Sequence, residues 1–162
     1  MPAALPLMKA LGCSTAAAFL WGSAMMITSV IGLLLRGRLE TFHLPTILLV
    51  FFAGGFLGWW LTELVGHLSR RIVRGRRVLA VMAFAGLAAA TVFVTAGLFA
   101  LEYRSFYAQW HAETLSRIWF LQFIFTSASA FYQFAVMALR LYLPLGPLFL
   151  MAGTWIMLRR MR

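Results

Sequence analysis

Long apolar stretches separated by short polar linkers run through the whole chain. Within each stretch the hydrophobic residues are continuous and do not alternate with polar ones, which favours helices over strands. A bilayer core of about 30 Å requires about 20 apolar residues in a helix, and four stretches reach that length. The sequence therefore predicts an all-α integral membrane protein with four transmembrane helices, at about residues 13–35, 45–66, 78–101 and 118–139.

A fifth apolar stretch follows at residues 141–158, but it is shorter and carries Pro144 and Pro147 near its start. This segment either enters the membrane and returns, or crosses it as a fifth span. The partial arrangement is favoured because it keeps the basic C-terminal tail on the same side as most other basic residues. We expect residues 1–162 to form a single transmembrane domain.

The composition is too apolar for a soluble domain. Hydrophobic residues make up 63% of the chain and charged residues 11%, whereas soluble domains contain roughly 45–50% and 25%. The net charge of +10 arises from 14 Lys and Arg against 4 acidic residues. Because the basic residues lie in linkers between apolar stretches, they indicate a membrane topology signal and not a nucleic-acid surface.

The linker after the second stretch is the most basic part of the chain. Short loops rich in Lys and Arg stay in the cytoplasm, and basic residues near a membrane surface attract anionic headgroups. We therefore expect a protein of the bacterial inner membrane with a cytoplasmic N-terminus, in which Arg140 returns to the cytoplasmic side. The linker arginines expected to fix topology and contact headgroups are Arg70, Arg71, Arg74, Arg76 and Arg77.

Small residues recur at every fourth position along the second stretch, at Gly54, Gly58, Thr62 and Gly66. Residues four apart share one face of a helix, and a face of small side chains lets another helix approach closely. The pattern predicts a helix-packing surface. Its partner is either another helix of this chain or a helix of another subunit.

Polar residues mark one face of the fourth stretch, at Gln122, Thr126, Ser129 and Gln133. Polar side chains within a membrane span seldom face lipid. This polar seam predicts hydrogen bonds to a neighbouring helix. The alternative is a hydrophilic path for a substrate or protons.

Glu63 is the only acidic residue inside a predicted span, and His67 and Arg70 follow it at helical spacing. An ionisable residue within the membrane is a candidate functional site. Since Glu63 lies near the end of its span, we expect it to pair with these helix neighbours; the alternative is a role in proton or ion transfer. A single Glu/His pair offers too few ligands for a metal ion, and we expect no metal.

Aromatic residues cluster between the third and fourth stretches, at Tyr103, Phe106, Tyr107 and Trp110. Their spacing places them on one face of a short helix. Aromatic side chains concentrate at the level of the lipid headgroups, so the pattern predicts an amphipathic helix that lies at the interface. A quinone or lipid-tail site is the alternative interpretation.

The sequence contains no phosphate-binding Gly-rich loop, no HExxH motif and no recognisable nucleophile motif, and we expect no cofactor. An enzyme is therefore less favoured than a non-catalytic subunit or accessory protein of a membrane complex. The alternatives are a transporter or channel component with a path along the polar seam, and a membrane enzyme acting on lipid or quinone. The expected partners are the lipid bilayer and either other membrane subunits or further copies of the chain.

Overall fold

In a computed structural model, described for residues 4–69 and 75–160, the chain forms helices joined by short connections, and this part contains no strand. Four helical segments are long and apolar enough to cross a membrane, the fourth comprising α4 and its continuation to Tyr142. The prediction of an all-helical protein with four such helices is confirmed at this level. The five helices are α1 (Ala4–Leu34), α2 (Leu44–Ser69), α3 (Arg76–Tyr107), α4 (Arg117–Gln133) and α5 (Gly146–Arg160).

Local sequence accounts for the ends of two helices. Gly37 follows α1 with φ of 61° and lets its own N–H bond to the Leu34 carbonyl, while the Arg38 N–H bonds to the Leu33 carbonyl. This pair of bonds caps a helix and favours glycine at the left-handed position. At the start of α4, the Ser116 side chain accepts a hydrogen bond from the Trp119 N–H at 3.0 Å, as an N-cap serine commonly does.

Helices α1, α2 and α3 approach one another through small residues. A Cβ on Gly55 would lie 2.9 Å from the Gly22 Cα of α1, and a Cβ on Gly58 would lie 2.7 Å from the Thr91 Cα of α3. Such contacts bring helix backbones together and maximise dispersion between them. Two residues of the small-residue face predicted on α2, Gly54 and Gly58, therefore lie against α3.

We name the two ends of this bundle after residues found there. The Glu63 end holds the carboxyl-terminal part of α2 and Ser14 of α1, whose hydroxyl group contacts Glu63. The Arg36 end holds the end of α1, the connection to α2 and the last turns of α3. The two buried clusters follow this division: Trp21, Trp59, Leu87 and Met157 lie in one, and Leu33, Phe51, Phe134 and Leu141 in the other.

The fourth helix stays at the Arg36 end of the bundle. Arg104 of α3 lies over Phe123, with Cζ 4.2 Å from the ring centroid, and Gln133 donates to the Tyr103 hydroxyl oxygen at 3.1 Å. Phe123 and Gln133 are ten residues apart yet meet adjacent residues of α3. In an antiparallel helix pair, ten residues correspond to roughly 15 Å along the partner, so α4 crosses α3 near its end.

The segment after α4 turns the chain into the bundle through one turn of π-helix, Phe134–Ala138, and a 3-10 segment, Leu139–Tyr142. The Arg140 carbonyl oxygen accepts a bond from Arg36 Nη2 at 3.4 Å. This position differs from the sequence prediction, which placed Arg140 at the end that holds the N-terminus. Residues 117–142 therefore start and finish in the same half of the bundle.

Helix α5 carries the chain from there to the Glu63 end. A Cβ on Gly153 would lie 2.8 Å from the Trp21 ring, and Met157 is fully buried in the cluster around Trp21. Arg160, at the end of α5, donates to the Cys13 carbonyl oxygen at 2.7 Å. The basic residues of α5 thus lie at the same end of the bundle as Ser14.

Replacing Gly58 with alanine should lower the free energy of unfolding by about 1–3 kcal/mol, because the added Cβ overpacks against the backbone of α3. Gly97→Ala is the matched control, since nothing lies within 4 Å of its Cβ position. Because replacing glycine with alanine in a helix interior stabilises the helix by about 1 kcal/mol, Gly97→Ala should not lower the free energy of unfolding. Unfolding in mixed micelles, followed by circular dichroism, measures both variants; equal destabilisation would contradict the close contact.

Cysteine labelling tests the path of residues 117–142. In a Cys13→Ser background, Arg36→Cys and Arg140→Cys variants should react alike with a membrane-impermeant thiol reagent, because both positions lie at one end of the bundle. A Gly75→Cys variant should react from the opposite side. Labelling of position 140 together with position 75 would show that α4 crosses the bundle from end to end.

Candidate functional site

A buried carboxylate lies at the Glu63 end, where three helices meet. Ser14 of α1 donates a hydrogen bond to Glu63 Oε2, and Arg160 of α5 places Nε 3.5 Å from Glu63 Oε1. Arg160 also donates to Ser14 Oγ at 3.2 Å and to the Cys13 carbonyl oxygen. Both carboxylate oxygens therefore have a partner, and the positive charge beside them compensates the burial of Glu63.

We call Ser14, Glu63 and Arg160 the carboxylate cluster. Its partners differ from those the sequence predicted, since Ser14 and Arg160 are distant in sequence while His67, one turn beyond Glu63, is exposed. Arg70, the other predicted neighbour, lies outside the described residues. The cluster joins α1, α2 and α5 at a point where Ser14 and Glu63 are each only 8% exposed.

A second polar group lies deeper, along α3. The Trp21 indole N–H donates to Thr91 Oγ1 at 3.0 Å, and the Tyr142 hydroxyl donates to Thr95 Oγ1 at 2.7 Å. Thr95 in turn donates to the Thr91 carbonyl oxygen. We call Thr91 and Thr95 the threonine column. It links α1, α3 and the segment that precedes α5, beside the glycines of α2.

Sequence reasoning missed the threonine column, although a signal for it was present. Thr91 and Thr95 are four residues apart and share one face of α3, like Gly54 and Gly58 on α2. Small residues at matching spacing on two helices are what close packing requires. Beside the column, the Trp59 indole nitrogen is buried and has no hydrogen-bond partner among the described residues.

The polar seam of α4 faces α3 and the linker after it at three of its four positions. Gln122 accepts a hydrogen bond from the Ala112 N–H at 2.9 Å, and Thr126 Oγ1 lies 3.3 Å from His111 Nε2. Gln133 bonds to Tyr103. The fourth member, Ser129, is exposed.

The predicted aromatic cluster lies at the Arg36 end, with Tyr103, Phe106 and Tyr107 in the last turns of α3. Trp110 follows in a short 3-10 turn, Ala108–Trp110. The rings contact one another, with centroids 4.6 Å apart for Tyr103 and Tyr107 and 5.5 Å for Phe106 and Trp110. The cluster therefore extends α3, where the sequence predicted a separate helix.

Among the predicted linker arginines, Arg76 and Arg77 form the first turn of α3 and are exposed. Arg70, Arg71 and Arg74 fall outside the described residues.

The two remaining residues of the small-residue face on α2 follow Gly58. Thr62 is buried, and its hydroxyl group donates a hydrogen bond to the Gly58 carbonyl oxygen at 2.7 Å. Gly66 lies one turn beyond Thr62 and is half-buried.

The contacts of these groups are an ion pair and hydrogen bonds within the chain. Within residues 4–69 and 75–160, no three His, Cys, Asp or Glu side chains lie close enough together to hold a metal ion. The carboxylate cluster contains a carboxylate, a guanidinium and a hydroxyl group that contact one another. Comparisons with protein-family models, curated proteins and solved structures found no match to this chain.

A double-mutant cycle on Glu63→Gln and Arg160→Gln should give a coupling free energy of about 1–3 kcal/mol, because the two groups share one partly buried network. Arg159 supplies the control, since its guanidinium lies over Trp155, 3.6 Å from the ring centroid. The cycle of Glu63→Gln with Arg159→Gln should therefore give a coupling near zero. Unfolding in mixed micelles measures both cycles. Equal coupling of Glu63 to both arginines would indicate a general charge effect and would contradict a specific contact with Arg160.

Proposed function

We propose that the protein is a non-catalytic subunit or accessory protein of a membrane complex and that it contacts its partner through α4. The observation that carries this proposal is the unequal burial of the apolar helices. In the most apolar 18 residues of α1, 44% are buried inside the protein, compared with 11% in the most apolar 18 residues of the segment Arg117–Tyr142. The bundle therefore uses α1 as its centre and leaves most of α4 available.

The exposed side of α4 has a composition that suits another helix. It presents large apolar and aromatic side chains, such as Phe125 at 68% exposed, together with the hydroxyl groups of Ser129 and Tyr132. Polar groups on an apolar helix seldom face lipid, and a small residue such as Ser129 permits close approach of a partner helix. We call Leu121, Phe125, Ser129 and Tyr132, which are all exposed, the outer face of α4.

The hydrogen bonds of the interior favour this function over transport. A transport path along the polar seam requires side chains that a substrate or water can reach. Gln122 and Gln133 instead bond to groups of the same chain, and Glu63 is paired with Arg160 and Ser14. These contacts support a structural role for the groups that a transporter would use.

We further propose that the protein lies in a bacterial inner membrane with the Glu63 end in the cytoplasm. The positive-inside rule supports this orientation, because Arg76, Arg77, Arg159 and Arg160 all lie at or near that end. The aromatic cluster then lies at the opposite interface, where tyrosine and tryptophan concentrate. Four helices long and apolar enough to cross a membrane are compatible with this placement.

Photo-crosslinking in native membranes tests the proposed role of α4. A photoreactive phenylalanine analogue in place of Tyr132, which is 70% exposed, should give one discrete adduct with another membrane polypeptide or a second copy. The same analogue in place of Val81, 68% exposed on α3, should give only lipid adducts. Ser129→Phe should reduce the adduct at position 132 roughly tenfold, because overpacking an interface costs about 1–3 kcal/mol.

Ala85→Phe, at an exposed position of α3, controls for the added aromatic ring and should leave the adduct unchanged. Lipid adducts alone at position 132 would show that the outer face of α4 meets the bilayer and would refute the proposal. A well-expressed Glu63→Gln variant that keeps the adduct at position 132 but loses ion or solute flux would favour the alternative function, a transporter or channel component.

A further inference from the structure

An apolar groove runs along the outside of the bundle between α2 and α3. Its volume is about 290 Å³, close to the lower end of small-molecule pockets, about 300 Å³. Small side chains on α3 create the space, since Ala83, Gly86 and Ala90 line its floor. The groove extends from Leu79 to Phe93, which is roughly 21 Å of helix.

The length of the groove is sufficient for a single hydrocarbon chain. Half the thickness of a bilayer hydrocarbon core is about 15 Å, so a chain that starts at the Leu79 end reaches the bilayer midplane before the groove ends. Its lining is almost entirely apolar, with Thr62 and Ser69 as the polar side chains. Thr62 directs its hydroxyl group to the Gly58 carbonyl oxygen and leaves its methyl group toward Gly86.

A basic residue at the start of α3 lies one helical turn beyond the end of the groove that Leu79 marks. Arg76 precedes Leu79 by three residues, and the spacing of Arg76, Leu79, Ala83, Gly86 and Ala90 alternates between three and four. This spacing places Arg76 on the same helix face as the groove. Arg77, its neighbour, belongs to a different face, together with the exposed residues Val81 and Phe84.

We infer that this groove binds one acyl chain of an anionic phospholipid whose phosphate group pairs with Arg76. Arginine offers a planar set of donors suited to phosphate oxygens. A zwitterionic phospholipid supplies the same chain and a phosphate group, but its own cation balances the phosphate charge, so charge complementarity selects the anionic headgroup. The inference concerns α2 and α3 and is independent of the partner proposed for α4.

Native mass spectrometry of the full-length protein in detergent measures the dissociation constant for the first bound phosphatidylglycerol. Phosphatidylcholine of the same acyl composition serves as the comparison lipid. Arg76→Gln should weaken phosphatidylglycerol binding roughly fivefold and phosphatidylcholine binding by a smaller factor, because the choline cation already compensates the phosphate of that lipid. Arg77→Gln, which removes an equal charge from the neighbouring position, should change neither constant by more than about twofold.

The groove itself is tested by Ala90→Leu, which fills it, and by Ala89→Leu, which adds the same side chain at an exposed position outside the lining. Ala90→Leu should abolish the first phosphatidylglycerol site, and Ala89→Leu should preserve it. Equal losses for Arg76→Gln and Arg77→Gln would overturn the inference, as would equal affinity for the two lipids. Retention of the site in Ala90→Leu, or occupation of the groove by a second copy of the chain, would also overturn it.

Discussion

The close contact between α2 and α3 determines where the other elements lie. Gly58 brings the α2 backbone against Thr91, and the threonine column on α3 is then within reach of α1 and of the segment before α5. The indole N–H of Trp21 and the hydroxyl group of Tyr142 each donate a hydrogen bond to one of these threonines. In an apolar surrounding, an unsatisfied indole or phenol is costly, so the two bonds fix both segments relative to the central helix pair.

The path of the chain after α3 follows from two requirements. The apolar segment from Arg117 to Tyr142 packs across the end of α3, and the chain must then turn into the bundle to cover the face that contains Trp21 and Leu87. Irregular helical geometry provides this change of direction, since π-helix and 3-10 turns commonly occur where a helix bends. Tyr142, bonded to Thr95, lies at the end of that turn.

Hydrophobic length predicted the apolar helices, and the spacing of small residues on α2 marked Gly54 and Gly58, which lie against α3, because both are local properties of the sequence. The direction of α4 was not predictable in this way, since apolar length describes what surrounds a helix and not how the helix is oriented. The partners of Glu63 were missed for a related reason. His67 lies one helical turn from Glu63 in the sequence, whereas Arg160 is distant in sequence and comes close only when α5 packs against α1 and α2. Thr91 and Thr95 carried a spacing signal that matched the glycines of α2.

The carboxylate cluster also has a consequence for the order in which the protein is assembled. Glu63 and Ser14 are synthesised before Arg160, so a bundle of α1, α2 and α3 alone contains Glu63 and its hydroxyl partner but not the guanidinium of Arg160. Because a buried carboxylate without its ion-pair partner is costly in an apolar environment, it favours contact with water at that stage. The arrival of α5 supplies the missing charge and covers Trp21 in one step. A nascent chain that lacks α5 therefore differs from the finished protein in its electrostatics as well as in its packing.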